Sequence, residues 1–424
     1  MMKKNIVIIA GGEGSRIKKT LNTLPKILAP IGNKLLIDYQ IEHISKFKNN
    51  NIHFCLGKGS EQILEHLNKT NMQFTFSIEE TALGTYGALY NAREYLADNF
   101  FVLYGDIITN FNIDFGFEKF KSFNSDFLVI SRYTNHPEDS DLIETDKFNN
   151  VLNIYRNKNK NRIINPLGIT ALMYAKKSSI KEFDTIKPDI VKDYLTTNIN
   201  NFKIKHLKTD SYTRDIGTDK RYKDEVSKIK KNISRSNKLA FLDRDETLIE
   251  NNEKNKIKNF KFKNGALNLI KFLQSENYTT VLITNQPGVA KGDCKITDVE
   301  NLHNYLQLQL IQKNLNPLNE IKYCPHHPDK GFKGENLKYK KKCQCRKPSH
   351  GMVSETLSDF NYQKNDIEMI FIGDTKNDYS LAKKFDSNFY LLSSKFTERK
   401  YFEEKNIKIN NSLKSLIEDL KKNN

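Results

Sequence analysis

Residues 241–250 read FLDRDETLIE, and they close an apolar run, KLAFL, with two aspartates one residue apart. A short apolar run stopped by polar residues reads as a buried strand of a parallel sheet. Ligand sites in open α/β sheets lie at the carboxyl ends of such strands. Asp243 and Asp245 are expected to point to different sides of the chain. They would divide two tasks, nucleophile and general acid/base. A D-x-D turn alone reads equally well as a solvated surface feature, so its companions decide. VLITNQPGVAKG (281–292) contains a second strand ending in Thr284 and Asn285. CRKP (345–348) supplies Arg346 and Lys347. MIFIGDTKND (369–378) contains a third strand, ending in Asp374, with Asp378 four residues on.

This strand begins in mid-chain, and what precedes it reads as a complete domain. A chain of 424 residues holds two or three domains, at roughly 100–200 residues each. NIVIIA, NIHFCLG, MQFTFSIE and NFFVLYGD read as strands, and LLIDYQIEHISKF and GALYNAREYLA read as helices. That alternation predicts a mostly parallel sheet flanked by helices. DFLVISRY, NVLNIYR and NPLGITALMY predict further strands, some of them antiparallel. VSKIKKNISRSNK (226–238) is polar and nearly patternless, which marks a linker. The rhythm then restarts with KLAFLD, GALNLIKFLQSE, TTVLITN, ITDVENLHNYLQLQL, EMIFIGD, DYSLAKKF and NFYLLS. The predicted fold class is therefore α/β in two domains, residues 1–228 and 238–424, joined by a linker at 229–237.

A hydrophobic fraction of 38%, with 26 Phe and 19 Tyr, predicts a globular protein and excludes a disordered one. No apolar run approaches the ~18 residues of a membrane span. The basic start MMKKNIVIIAGGEG runs into a glycine loop and not into a cleavage site. A cytoplasmic protein with no membrane partner is expected. The formal net charge is +17, but the lysines are scattered and form no arm or stripe. No nucleic-acid partner is expected, and a basic field suits small phosphorylated substrates. The oligomeric state is not legible. Three of the five cysteines, Cys324, Cys343 and Cys345, fall within 22 residues beside His326. Such clustering in a cytoplasmic chain points to metal before disulfide.

In the first domain the opening strand ends in AGGEGSR (10–16), followed by LPKILAPIG (24–32). Glycines after a parallel strand let the backbone approach phosphate closely. The pattern is neither a dinucleotide fingerprint nor a P-loop. LGTYGAL (83–89), the strand-final Asp106 of FFVLYGD and Asp215 of YTRDIGTDKRY complete the set. In this order the motifs resemble the sugar-1-phosphate nucleotidyltransferase family over about 230 residues. The resemblance implies that Gly11, Gly12, Gly14 and Gly84 hold the nucleotide and that Arg16 and Lys26 hold its phosphates. It also implies that Asp106 and Asp215 bind Mg²⁺. The reaction would be in-line attack of a sugar phosphate on the α-phosphorus of an NTP, releasing pyrophosphate. Ser15 stands where the family often has Thr. Tyr86 replaces a usually small residue and is expected to narrow the base or sugar pocket.

D-x-D-x-T, T-N, K and G-D, each at a strand end, resemble the haloacid dehalogenase phosphatase superfamily, a Rossmann-like sheet fold. The resemblance implies an aspartyl-phosphate on Asp243, with Asp245 protonating the leaving alcohol and then activating water. Mg²⁺ would sit on Asp243, the backbone carbonyl of Asp245, and Asp374. Thr284, Asn285 and Arg346 would bind phosphoryl oxygens, and Lys347 would neutralise charge. Cys324-x-His326 and Cys343-x-Cys345 form a tetrahedral donor set for structural Zn²⁺ that would pin a lysine-rich loop; His327 is left out of it. C-x-H…C-x-C-R-K-P narrows the resemblance to D-glycero-D-manno-heptose 1,7-bisphosphate phosphatases and related histidinol-phosphate phosphatases. One position departs from that pattern: Glu246 stands where D-R-D-G-T has glycine. It is expected to point outward to solvent, with backbone strain or an added negative charge near a phosphate site as the alternatives.

Together the halves imply consecutive steps, removal of a sugar 7-phosphate and then GMP transfer from GTP to the 1-phosphate. Other readings are a different phosphorylated sugar or polyol with CTP or UTP, a histidinol-phosphatase-like activity, and a nucleic-acid end phosphatase.

Overall fold

The computed structural model describes residues 4–12, 14–47, 50–157, 164–229, 236–252 and 254–423. The chain divides into two compact units. The first is built from Met1–Arg132, Pro137–Lys158 and Leu167–Arg235; Ser236–Asn424 forms most of the second.

The first unit is organised on a nine-stranded sheet. Lys4–Ile9 pairs in parallel with Asn50–Leu56 on one side and Asn99–Tyr104 on the other. Phe74–Ile78 extends it in parallel at one edge, and Leu167–Lys176 runs antiparallel to Asn99–Tyr104. Val151–Tyr155 runs antiparallel to Leu142–Thr145. Ile6, Val7 and Ile8 are all fully buried, which is why the strand reads as an unbroken apolar run and not an alternating one. Leu36–Ser45 lays Ile37, His43 and Ile44 on the core. The strands Leu142–Thr145 and Ile204–Lys208 escaped the sequence reading. They are short and carry charges at alternate or flanking positions, and their burial comes from tertiary pairing. The helix Asp219–Ile229 runs to the edge of the expected linker, and residues 230–235 lie outside the described residues.

The second unit is a six-stranded, wholly parallel sheet. Its order is Glu320–Cys324, Thr279–Asn285, Lys238–Leu242, Glu368–Gly373, Asn388–Leu392 and Ile409–Asn410. Lys238–Leu242 is central, and the chain adds strands first to one side of it and then to the other. A crevice opens at such a reversal, beyond the carboxyl ends of the strands. Ala266–Ser275, Ile296–Gln312 and Leu413–Asn423 contribute to one core cluster, and Gly351–Asp359 and Lys376–Lys384 to the other. The strand EIKYC, 320–324, was not expected, because its charged start hides an edge strand. It carries Cys324 to the same carboxyl edge as Asp243 and Asp374. Among the described residues no helix is long and apolar enough to cross a membrane.

Candidate functional site

Asp243 follows the last residue of the central strand, and its N–H donates to the Ile372 carbonyl at 2.9 Å. Asp374 follows the adjacent strand Glu368–Gly373. Asp378 sits in the first turn of Lys376–Lys384, where Thr375 Oγ1 donates to its Oδ2 at 2.6 Å. One oxygen from each of Asp243, Asp374 and Asp378 lies within 4.8 Å of the others, and all three residues are buried. Lys347 Nζ donates to Asp243 Oδ1 at 2.5 Å, Asp378 Oδ1 at 2.6 Å and the Ile283 carbonyl at 2.9 Å. Three carboxylates against one ammonium leave two negative charges to be met, which fits a divalent cation with oxygen ligands. Burial pushes the Asp243 carboxyl well above the usual range; Lys347 opposes the shift, and Asp378 and Asp374 add to it. Burial likewise pushes Asp374 up to about 6, against the hydrogen bond from Ser394. Burial would lower the Lys347 ammonium, but the Asp243 and Asp378 charges raise it on balance.

Asp245 has partners of its own. Arg244, fully buried, donates to both its oxygens at 2.9–3.3 Å, and Gln286 Nε2 donates to Oδ2 at 2.8 Å. The two aspartates meet separate partners, a separation that strand alternation would not produce, since residues i and i+2 share a face. It arises because the strand stops at Leu242, before either of them.

Asn285 has a task besides the expected one. Its Oδ1 accepts from Lys347 N at 2.9 Å and its Nδ2 donates to Lys347 O at 3.1 Å. These two bonds to the lysine's backbone place Lys347 and leave the second N–H of Nδ2 to serve a phosphoryl oxygen. Thr284 Oγ1 accepts from Gln286 at 2.9 Å and is buried. Arg346 and Lys347 line a cavity of 610 Å³ with Lys341, Lys342 and Asn377.

Glu246 does not point to solvent. It has φ +59°, in the left-handed region that the glycine pattern anticipates. Its Oε2 accepts from Lys263 Nζ at 2.7 Å, and 14% of its side chain is exposed. The strain alternative therefore holds, at about 1–2 kcal/mol, offset by an ion pair that a glycine would lack.

Cys324, His326, Cys343 and Cys345 place one donor each within 4.8 Å of the others. Their sulfurs are 3.1–3.5 Å apart, and none is in a disulfide. His326 Nδ1 lies 3.2 Å from Cys345 Sγ. The Cys345 thiol is pulled down to about 5 by the S–H of Cys324, with Cys343 and His326 adding. Three thiols and an imidazole converging this closely fit tetrahedral zinc. His327 stays outside, accepting from Asp329 N and meeting Phe332 edge to face.

In the first unit the strand Thr213–Asp215 pairs with Ile107–Thr109, setting Asp215 opposite Ile107. Ile216 N donates to the Asp106 carbonyl at 3.0 Å, so the two candidate metal-binding aspartates are neighbours. Lys26 Nζ stands 3.3 Å from Asp106 Oδ2. Arg221 holds Asp215 at 2.9 Å and Asp139 at 2.9 Å. A Cβ on Gly217 would lie 2.9 Å from Asp215 Oδ1 and 3.6 Å from both Asp106 Oδ2 and Arg16 Nη2. Carboxylates and cations thus converge on one backbone spot, an arrangement able to hold a cation and a polyphosphate. Gly11 lines a 620 Å³ cleft with Gly57, Glu79, Thr81 and Lys187. Gly12 is exposed and open around its Cα, and Gly14 has φ +64° beside the Lys26 side chain. At Gly84, φ is +77° and a Cβ would meet the Lys187 carbonyl carbon at 2.4 Å; the close approach explains the glycine. Tyr86 lines none of this. It is buried, stacks on Tyr194 at 3.7 Å and donates to the Lys181 carbonyl at 2.5 Å. The expected pocket-narrowing role is replaced by core packing.

Sequence reasoning passed over Arg244, Gln286, His303 and Ser394, and gave Asp378 no role. Asp378 had a signal, the T-x-x-D capping box after the strand. His303 had none, because it lies mid-helix, 58 residues beyond Asp245.

Residues 5–162 match the family described as Nucleotidyl transferase, and residues 238–405 the family described as Polynucleotide kinase 3 phosphatase. The D-glycero-beta-D-manno-heptose-1,7-bisphosphate 7-phosphatase of Haemophilus influenzae is 36% identical over 143 residues, 34% of this chain and 73% of that protein. That of Escherichia coli K12 is 31% identical over 152 residues, covering 35% and 75%. Among solved structures, HddC from Yersinia pseudotuberculosis has TM-score 0.45 and 24% identity, covering 53% of this chain and 99% of that one. The inositol-1-phosphate CTP transferase from T. maritima has TM-score 0.46 and 16% identity, covering 55% and 98%. The chain is an enzyme that joins a nucleotidyltransferase domain to a haloacid dehalogenase-like phosphatase domain, and through the latter it belongs to the D-glycero-beta-D-manno-heptose-1,7-bisphosphate 7-phosphatase family.

Proposed function

We propose that the phosphatase domain, residues 238–424, removes the 7-phosphate of D-glycero-D-manno-heptose 1,7-bisphosphate. The transferase domain, residues 1–228, then joins the remaining 1-phosphate to GMP from GTP. The observation that carries the first step is the buried group of Asp243, Asp374, Asp378 and Lys347 at the central strand's end. The named activity of the relatives supports the choice of substrate.

Asp243 attacks phosphorus, and the P–O bond to the sugar breaks as the aspartyl-phosphate forms. Asp245 gives its proton to the departing alkoxide. Asp245 then takes a proton from water, which attacks the phosphorus and frees inorganic phosphate and Asp243. Lys347 holds Asp243 in place and meets phosphoryl charge. Mg²⁺ held by Asp243, the Asp245 carbonyl, Asp374 and Asp378 would neutralise the phosphoryl oxygens. In the other domain Arg16 and Lys26 bind phosphates and Gly11, Gly12, Gly14 and Gly84 shape the nucleotide site. The sugar phosphate attacks the α-phosphorus and pyrophosphate leaves. Asp106 and Asp215 would hold Mg²⁺ there. Structural Zn²⁺ on Cys324, His326, Cys343 and Cys345 would anchor the loop that ends in Arg346 and Lys347.

Purified protein given the bisphosphate and Mg²⁺ is expected to release one phosphate. Offered GTP, CTP and UTP, it is expected to form pyrophosphate best with GTP. No phosphate release sinks the substrate assignment, and a preference for CTP or UTP sinks the GTP assignment. Elemental analysis is expected to find one zinc per chain, lost in Cys343→Ser. The match to a polynucleotide phosphatase family motivates a second reading, action on nucleic-acid ends. That reading requires salt-dependent DNA binding, which the proposal does not expect.

A further inference from the structure

Asp245 is held from behind by a chain of side chains that the phosphatase chemistry above does not use. Arg244 is fully buried, and its Nε and Nη2 face both Asp245 oxygens. Its remaining edge, Nη1, donates to Nε2 of His303 at 3.1 Å. A guanidinium accepts nothing, so the imidazole nitrogen is the acceptor and Nδ1 carries the ring proton. His303 lies on Ile296–Gln312, is 4% exposed, and meets the Tyr323 ring at 5.3 Å. Burial, with the Arg244 charge adding, holds its pKa well below the ordinary value and so keeps it neutral. Its Nδ1 is buried with no hydrogen-bond partner among the described residues. An apolar residue would spare the unpartnered Nδ1 but would strand the buried Nη1 of Arg244, so packing alone does not account for the histidine. On the other side of Asp245, Gln286 donates to Oδ2, and its own Oε1 accepts from Asn255 at 3.0 Å.

We infer that His303 and Arg244 are positioning residues for proton transfer: His303 aims the guanidinium, which with Gln286 fixes the Asp245 carboxylate at the leaving group. The inference rests on the reading of Asp243 as nucleophile and Asp245 as acid/base. With Arg244 unguided, the carboxylate samples other rotamers, and steps that need its proton slow. Steps that do not need it continue.

The test compares leaving groups in the full-length protein. An alkyl phosphate, the heptose bisphosphate, needs its alkoxide protonated; p-nitrophenyl phosphate leaves as a stabilised phenolate and does not. For His303→Leu, phosphate release from the bisphosphate is expected to fall about 10²-fold. The pre-steady-state burst of p-nitrophenol should keep its rate within about 2-fold, since it reports attack by Asp243 alone. His303→Gln, whose amide oxygen can still accept from Arg244, is expected to recover most of the loss. Equal losses on both substrates, no loss on either, or no recovery with Gln would overturn the inference. Asp243→Asn and Asp245→Asn separate the underlying reading. If Asp243→Asn keeps the burst, or Asp245→Asn shows no leaving-group dependence, the acid/base assignment has failed and not the positioning step.

Discussion

Asp243 and Asp378 expose 10% and 5% of their side chains around a lysine that exposes 3%. In the transferase domain, Asp106 and Asp215 expose 20% and 31%, and each has a cation of its own, Lys26 and Arg221. The first arrangement is a shared ion cluster cut off from water, in which no charge can be removed without stranding the others. The second is a set of separate pairs at the rim of a cleft, where water can replace a lost partner. The difference follows from backbone origin. Asp243 and Asp374 sit directly beyond adjacent parallel strands. Asp215 ends, and Asp106 immediately precedes, the strands of a short antiparallel ladder of three residue pairs.

The largest expected effect separates the two halves. Asp243→Asn should lower phosphate release from the bisphosphate by about 10⁴-fold or more and leave pyrophosphate formation from supplied heptose 1-phosphate and GTP unchanged, read in parallel assays on one preparation. Next, Lys347→Met should destabilise the phosphatase half by about 3–5 kcal/mol, because three buried carboxylates lose their cation. Lys26→Met should change stability by less than about 1 kcal/mol. Urea titrations of both variants decide it, and equal losses would erase the contrast. Tyr86→Ala should remove about 3 kcal/mol or more from the transferase half, as expected for a large buried ring. The KM for NTP should stay nearly constant; a lower KM would restore the pocket-narrowing role. The smallest change is expected for Glu246→Gly, within about 1 kcal/mol. Relief of left-handed strain works there against loss of the Lys263 pair.

Strand-final motifs were legible because their chemistry is local. A central strand, its apolar run and the acid at its end stand together in sequence, so Asp243, Asp374, Asp106 and the glycine loop could be placed before any coordinates. Donor pairs were legible for the same reason, since C-x-H and C-x-C specify their own geometry. What stayed hidden depends on contacts distant in the chain. His303 meets Arg244 only when the helix Ile296–Gln312 packs on the sheet. Asn285 holds Lys347 across 62 residues, and Tyr86 finds Tyr194 across 108. Glu246 shows the intermediate case. Its positive φ could be inferred from the glycine it replaces, whereas its partner Lys263 could not be read from the sequence.

The central claim is that one chain performs both steps in order. Following heptose 1,7-bisphosphate with GTP and Mg²⁺ by ³¹P NMR tests it most directly. The account predicts that inorganic phosphate appears first, with the sugar 1-phosphate as intermediate, followed by equal amounts of pyrophosphate and nucleotide sugar. A nucleotide sugar that still carries the 7-phosphate, or release of the 1-phosphate in place of the 7-phosphate, would contradict it.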